Sequence, residues 1–243
     1  MQRTLVLDLD GTLVDSVPDL TAALNRLMAA RGLPGFAGPE VTRMVGDGAP
    51  ALVERAFAAR GRAPDAAALA GFLADYGANA AVQTRAFPDV PETLRHLAEA
   101  GWKLAVCTNK PEAPARSLLA ALGLEGFFAA IGGGDSFPVR KPDPRHLLAT
   151  LQAAGGTPGC AVMAGDHHND VLAGAGLGMP VIFAAWGYGA PEVGAEAAAV
   201  AQRFSDLPVI AGRLLRRGCG GREQGQGAAL DPQGGRGPLD PVR

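Results

Sequence analysis

Two aspartates two residues apart, Asp8 and Asp10, close the short apolar run Leu5-Val6-Leu7 and are followed by Gly11 and Thr12. A run rich in Leu and Val that ends at a glycine predicts a buried parallel strand. Such a strand delivers its last side chains to the edge where open α/β sheets bind ligands. Residues two apart share a face of a strand, and two acids held that close repel each other. They make sense around a cation, or as a pair whose proton affinities are driven apart. Gly11 permits a sharp departure of the chain, and Thr12 a local hydrogen bond that fixes it. A strand that simply ends in an Asp-Gly turn would read the same over this stretch.

Other polar groups fall at equivalent places. Thr108 and Asn109 follow the apolar run 104–107, and Asp166 follows the run 160–164 and Gly165. Lys141 sits in Arg140-Lys141-Pro142-Asp143-Pro144, a stiff turn suited to a side chain that must point to a fixed place. In a parallel sheet these strand ends converge on one crevice. The set holds acids for a hard, oxygen-preferring cation such as Mg2+. It also holds a hydroxyl and an ammonium for phosphate oxygens. That is equipment for phosphoryl transfer. Lysine occurs only at 103, 110 and 141.

The elements that must position these groups read as follows. Leu20, Ala23, Leu24, Leu27 and Met28 repeat at helical spacing, and Gly32 stops that helix. Residues 41–60 predict a second helical region, interrupted at Gly46-Asp47-Gly48, and 66–76 an Ala-rich third. No strand is predicted over 17–84. After Phe87-Pro88-Asp89-Val90-Pro91 helices are predicted over 92–100, 116–122, 146–154 and 171–175. Strands are predicted between them over 104–107, 127–131, 160–164 and 181–183, with a last short element over 204–215. Such alternation predicts an α/β fold: a Rossmann-like parallel sheet with helices on both faces and right-handed crossovers. The core covers 1–16 and 85–216, and a small helical cap, 17–84, is inserted into it. Residues 217–243 are Gly, Pro, Arg, Gln and Asp with hardly an aliphatic residue, which predicts a disordered tail.

Length and composition agree with this plan. A chain of 243 residues, 48% hydrophobic, can fill one large α/β domain or a core with an insert. A net charge of −2 without a basic run speaks against nucleic-acid or membrane-surface partners. Cys107, Cys160 and Cys219 are too few and too scattered for a disulfide framework or a zinc site. Acids lie where a signal peptide needs an apolar stretch, and no run approaches membrane-spanning length, so a cytoplasmic protein is expected.

The motifs resemble those of the haloacid dehalogenase superfamily, in order: Asp8-Leu9-Asp10-Gly11-Thr12, then Thr108, Lys141, and Gly165-Asp166 with Asp170. The resemblance covers about residues 4–215. Softer features resemble its phosphoglycolate phosphatase branch: Val45-Gly46-Asp47-Gly48-Ala49, Val53-Glu54-Arg55-Ala56, Thr108-Asn109-Lys110-Pro111, Lys141-Pro142-Asp143-Pro144 and Gly187-Tyr188. The resemblance implies a Mg2+-dependent phosphatase acting on a small phosphorylated metabolite, as a monomer or homodimer. Asp8 is then the nucleophile and Asp10 the acid and base. Metal ligands come from Asp8, the Asp10 carbonyl and Asp166, with Asp170 as a further acid nearby. Thr108, Asn109 and Lys141 would hold the phosphate, and Lys141 would also neutralise the nucleophile. Gly46-Asp47-Gly48 offers N–H groups, and Arg43 or Arg55 a guanidinium, for a substrate carboxylate; a solvated helix face accounts for both arginines equally well.

Several residues have two readings. His167 and His168 stand where relatives often have Ser or another small polar residue; they either tune the metal site or lie solvated in a loop. Lys110 either touches substrate or is an exposed loop lysine, and Asp135 is either near the metal or a turn residue. Asp10 speaks against dehalogenase chemistry, which lacks that second acid. The absence of lysine between residues 17 and 84 removes the Schiff-base route of phosphonoacetaldehyde hydrolases. A β-phosphoglucomutase-like enzyme, a broad sugar-phosphate or nucleotide phosphatase and a catalytically silent binding module remain as alternatives.

Overall fold

The computed structural model describes residues 2–219. Its strands are β1 (Thr4–Leu7), β2 (Val14–Asp15), β3 (Arg85–Ala86), β4 (Lys103–Cys107), β5 (Ala130–Gly132), β6 (Ala161–Gly165), β7 (Val181–Ala184) and β8 (Ala199–Ala201). Six of them form one parallel sheet in the order β5-β4-β1-β6-β7-β8. The chain works outward from β1 on one side through β4 and β5, and on the other through β6, β7 and β8. β1 is therefore the switch point, and the crevice opens beyond its carboxyl end.

The helices are α1 (Val17–Ala29), α2 (Gly38–Thr42), α3 (Ala49–Ala58), α4 (Ala68–Asn79), α5 (Val90–Glu99), α6 (Glu112–Ala121), α7 (Pro144–Ala153), α8 (His168–Ala175) and α9 (Leu207–Cys219). Leu5 and Leu7 of β1 pack among side chains of α5, α6 and α9, whereas Val6 belongs to the cluster that holds Leu147 and Leu151 of α7 and Val171 of α8. Both faces of the sheet are thus covered, and all three residues are fully buried. Each such burial contributes about 2 kcal/mol, which accounts for a strand that stays apolar until it reaches the crevice. α1 to α4 gather around a third cluster of their own, with Leu24, Met28, Phe57 and Phe72 inside.

This helical layer leaves and rejoins the sheet at one place. β2 and β3 pair antiparallel there, Val14 against Ala86 and Asp15 against Arg85. Buried Asp19 accepts hydrogen bonds from Thr84 N and Oγ1, both 2.8 Å, and from Gln83 N. Tyr188 Oη donates to Asp15 Oδ1 (2.7 Å) and accepts from Ser16 N (2.8 Å). Both crossings are therefore pinned.

Two expectations need correction, and one strand was not expected at all. The strand expected over 127–131 is a 3₁₀ turn, Glu125–Phe127, followed by β5; Phe127 and Phe128 pack against the core without extended pairing. β8, an edge strand whose Val200 is exposed, has no alternating pattern that would announce it. The expected tail begins too early, because α9 runs on to Cys219; residues 220–243 lie outside the described residues.

Candidate active site

The strand ends meet as the spacing predicted. Asp8, Thr108 and Asp166 each stand one residue beyond β1, β4 and β6, which are neighbours in the sheet. Gly11 makes the turn possible: its φ is +83°, its N–H donates to Val14 O, and a Cβ there would overlap the Asp166 carboxylate. The Thr12 side chain does not bond locally. Its hydroxyl donates to Asp166 Oδ1 at 2.8 Å, across the sheet edge, while Tyr188 N donates to Asp166 Oδ2 at 2.8 Å.

Asp8, Asp166 and Asp170 form a buried cluster whose carboxylate oxygens lie within 4.8 Å of one another. Lys141 stands among them, 2.9 Å from Asp8 Oδ1 and 2.6 Å from Asp170 Oδ1. Burial works against its charge, but the carboxylates of Asp170 and Asp8 outweigh that and hold the ammonium above the usual lysine range. Burial pushes Asp166 up to about 8, reinforced by the neighbouring charges of Asp8 and Asp170. Asp8 rises to about 6, again by burial, with Lys141 opposing. Four carboxylates (Asp8, Asp10, Asp166, Asp170) face two ammonium groups here (Lys110, Lys141). The remaining negative charge, all on oxygen donors, fits a hard divalent cation.

Lys110 is no exposed loop lysine. It is 6% exposed, and its Nζ lies 2.9 and 3.0 Å from the two Asp10 oxygens and 2.8 Å from Tyr76 Oη of α4. Asp8 and Asp10 thus part company. Asp8 faces Lys141 in the floor, Asp10 faces Lys110 beneath the helical layer, and both line the two openings of the crevice.

The loop before α3 closes against the core. Gly46 has φ +124°, and a Cβ there would overlap the His167 ring. Its carbonyl accepts from Asn109 Nδ2 at 3.1 Å and from Asn169 Nδ2 at 3.4 Å. Asn109 gives its other amide hydrogen to Lys141 O at 3.0 Å. Its side chain therefore braces this loop against the Lys141 turn, and its amide hydrogens are not turned to a phosphate. Asp47 accepts from Asn169 Nδ2 at 2.7 Å and pairs with Arg55. Arg55, on α3, also donates to Met44 O, so its guanidinium is tied to the loop before that helix. Arg43 is exposed at the rim of the second opening.

His167 is not a solvated loop residue either. It caps α8, its Nδ1 accepting from Asn169 N at 3.3 Å, and burial beside His168 lowers it to about 4. His168 is exposed. Asp135 accepts from Glu112 N at 2.7 Å and so serves the start of α6. Sequence reading gave no role to Tyr76 and left Tyr188 without a partner. These are the only two tyrosines in the chain, and that rarity was the available signal.

Comparison with known proteins agrees with this arrangement. The family model for haloacid dehalogenase-like hydrolases matches residues 2–178. A phosphoglycolate phosphatase of Mesorhizobium japonicum is 42% identical over 218 residues, 87% of this chain and 96% of that protein. One from Caulobacter vibrioides is 43% identical over 219 residues, 87% and 92% of the two chains. The crystal structure of a predicted phosphoglycolate phosphatase from Haemophilus somnus superposes with a TM-score of 0.80 at 30% identity, covering 86% of this chain and 97% of that one. The family model spans well over half of the chain, and relatives more than 40% identical extend along most of it; the chain belongs to the haloacid dehalogenase-like hydrolases.

Proposed function

We propose that the chain hydrolyses 2-phosphoglycolate to glycolate and phosphate through a phosphorylated Asp8. The observation that carries this reading is the division of labour at the end of β1. Asp8 is buried and clasped by Lys141, whereas Asp10, two residues on, opens toward the cavity where a leaving group would lie. The relatives at 42–43% identity carry the substrate.

In the first half, an Asp8 carboxylate oxygen attacks phosphorus, the bond from phosphorus to the glycolate oxygen breaks, and Asp10 gives that oxygen its proton. In the second half, Asp10 takes a proton from water, the water oxygen attacks phosphorus, and Asp8 leaves as carboxylate. Lys141 and the Thr108 hydroxyl hold phosphate oxygens, and Lys141 balances charge on Asp8 throughout. Asp8, Asp166 and the Asp10 carbonyl would hold Mg2+, with Asp170 behind them. The ion would neutralise the charge that gathers as two anions meet.

Residues 17–84 serve as a cap that selects the leaving group and keeps water out. Among the described residues no helix is long and apolar enough to cross a membrane. A cytoplasmic enzyme, working as a monomer or homodimer, goes with this reading.

The test is steady-state phosphate release with Mg2+ from 2-phosphoglycolate against sugar phosphates and nucleotides, with Asp8→Asn as control. The expected result is a kcat/KM for phosphoglycolate far above the rest and no turnover by Asp8→Asn. A flat profile that still vanishes in Asp8→Asn would keep the mechanism and remove the substrate.

A further inference from the structure

The opening between the core and α1, α3 and α4, continuous with solvent, is mostly apolar, walled by Leu20, Val45, Leu52, Phe72 and Leu73. Asp8 and Asp10 lie at its foot, and Lys110 is the only cation among the residues that line it. A buried ammonium facing one carboxylate and one phenol is costly to keep, in a chain with only three lysines.

Its place follows from the substrate's own bonds. The oxygen that leaves phosphorus must touch the Asp10 carboxyl, and in a phosphorylated 2-hydroxy acid the carboxyl carbon is two bonds from that oxygen. Lys110 touches the same Asp10 carboxyl at 2.9 and 3.0 Å. The leaving oxygen and Lys110 Nζ are then at most two hydrogen bonds of about 2.9 Å apart, a gap that the substrate carboxylate spans. The two arginines expected for this task are placed otherwise. Arg55 is held by Asp47 and by Met44 O, and Arg43 lies exposed at the rim of the other opening.

We infer that Lys110 is the specificity-determining residue that recognises the carboxylate next to the scissile ester, with the Tyr76 hydroxyl of α4 as its second contact. The inference rests on the phosphoglycolate reading above and names the group that makes it selective. Lys110 is fixed to the core while Tyr76 comes from the helical layer. Recognition is therefore complete only where the two meet.

The experiment compares kcat/KM for 2-phosphoglycolate with that for ethyl phosphate, which has a methyl group in place of the carboxylate. In Lys110→Met the preference for phosphoglycolate is expected to fall about 100-fold, as for a lost hydrogen bond between charged groups. Lys110→Arg keeps part of it, and Arg43→Gln leaves it within about threefold. If the two substrates lose rate in parallel in Lys110→Met, or if Arg43→Gln abolishes the preference, the assignment is wrong.

Should Lys110→Met not fold, Tyr76→Phe supplies the answer through competitive inhibition of ethyl phosphate hydrolysis by glycolate. The inhibition constant is expected to rise about fivefold or more; an unchanged constant overturns the assignment. A wild-type enzyme that does not prefer phosphoglycolate to ethyl phosphate would overturn the substrate reading and this inference with it. A preference that survives Lys110→Met overturns this inference alone.

Discussion

On the floor of the crevice Lys141 lies between Asp8 and Asp170, with side-chain exposures of 2%, 11% and 0%, and all three groups belong to the sheet, its turns or the helix α8 packed on it. Beneath the helical layer Lys110 meets one carboxylate, 15% exposed, and a tyrosine that arrives from a helix outside the sheet. The same two residue types make both pairs, yet their settings differ. The floor is a closed network in which each charge is another's counter-ion. The pair above it borders a cavity, so its carboxylate is reachable by water and by a ligand. On the function proposed above, the attack on phosphorus belongs to the first setting, while in the second Asp10 moves the protons and Lys110 beside it chooses between substrates.

That contrast sets the largest expected effect. Lys141→Met would leave Asp8 and Asp170 buried without their cation, a loss of about 3–5 kcal/mol, and phosphate release should fall more than about 1,000-fold. Lys110→Met leaves Asp10 beside a cavity that water can enter, and its cost should stay near about 1–2 kcal/mol. Urea unfolding of both variants without added metal measures the difference. Equal losses would mean that the two lysines are buried in equivalent ways and would break the comparison.

A smaller effect sharpens it. Asp166 in the floor rises to about 8 through burial and the charges of Asp8 and Asp170. The folded, metal-free protein therefore holds this proton more tightly than the unfolded chain, whose aspartates titrate near 3.8. Stability without metal should fall as pH rises from about 4 to 8. A divalent ion that needs the carboxylate must displace the proton, so its apparent affinity should climb about 50-fold between pH 6 and pH 8. Calorimetric titration with Mg2+ in two buffers of different ionisation enthalpy reads both the affinity and the proton released. Affinity that is flat with pH would remove Asp166 from the ligand set.

The same contrast explains what could be read from the chain alone. Asp8, Thr108, Lys141 and Asp166 were legible because each lies beside a strand or in a rigid turn, where sequence position and spatial position are tied by the sheet, whereas Asp170, inside α8, came only with the family resemblance. The alternation of elements was legible for the same reason, down to a residue or two at most ends. Lys110 looked like a loop lysine because the partner that buries it, Tyr76, is 34 residues away in a helix whose docking no local pattern encodes. Asn109 was assigned to phosphate by its neighbourhood, but its amide hydrogens go to Gly46 O and Lys141 O, across two loops. Thr12 bonds to Asp166, 154 residues on. What escaped the sequence is the contact between layers, and these contacts surround the cavity rather than the floor.

The smallest of these effects concerns the seam itself. Gly46 sits against His167 with no room for a Cβ, and its φ of +124° is one that side chains rarely adopt. Gly46→Ala should therefore push the 46–48 loop off the core, at a cost of about 1–3 kcal/mol in stability and about tenfold in kcat/KM. Loop and core touch here through hydrogen bonds from Asn109 and Asn169, and neither residue is needed to carry charge in the floor. The loss should accordingly fall on kcat/KM while Mg2+ affinity is kept. His167→Ala in the same chain removes the ring that the new methyl meets, so the double variant should recover part of the activity; the remaining deficit measures the strained backbone alone. If the double variant is as poor as Gly46→Ala, the seam is governed by backbone conformation and His167 is only a neighbour. If Gly46→Ala weakens Mg2+ binding as much as turnover, floor and roof are one cooperative unit, and the division drawn between them does not hold.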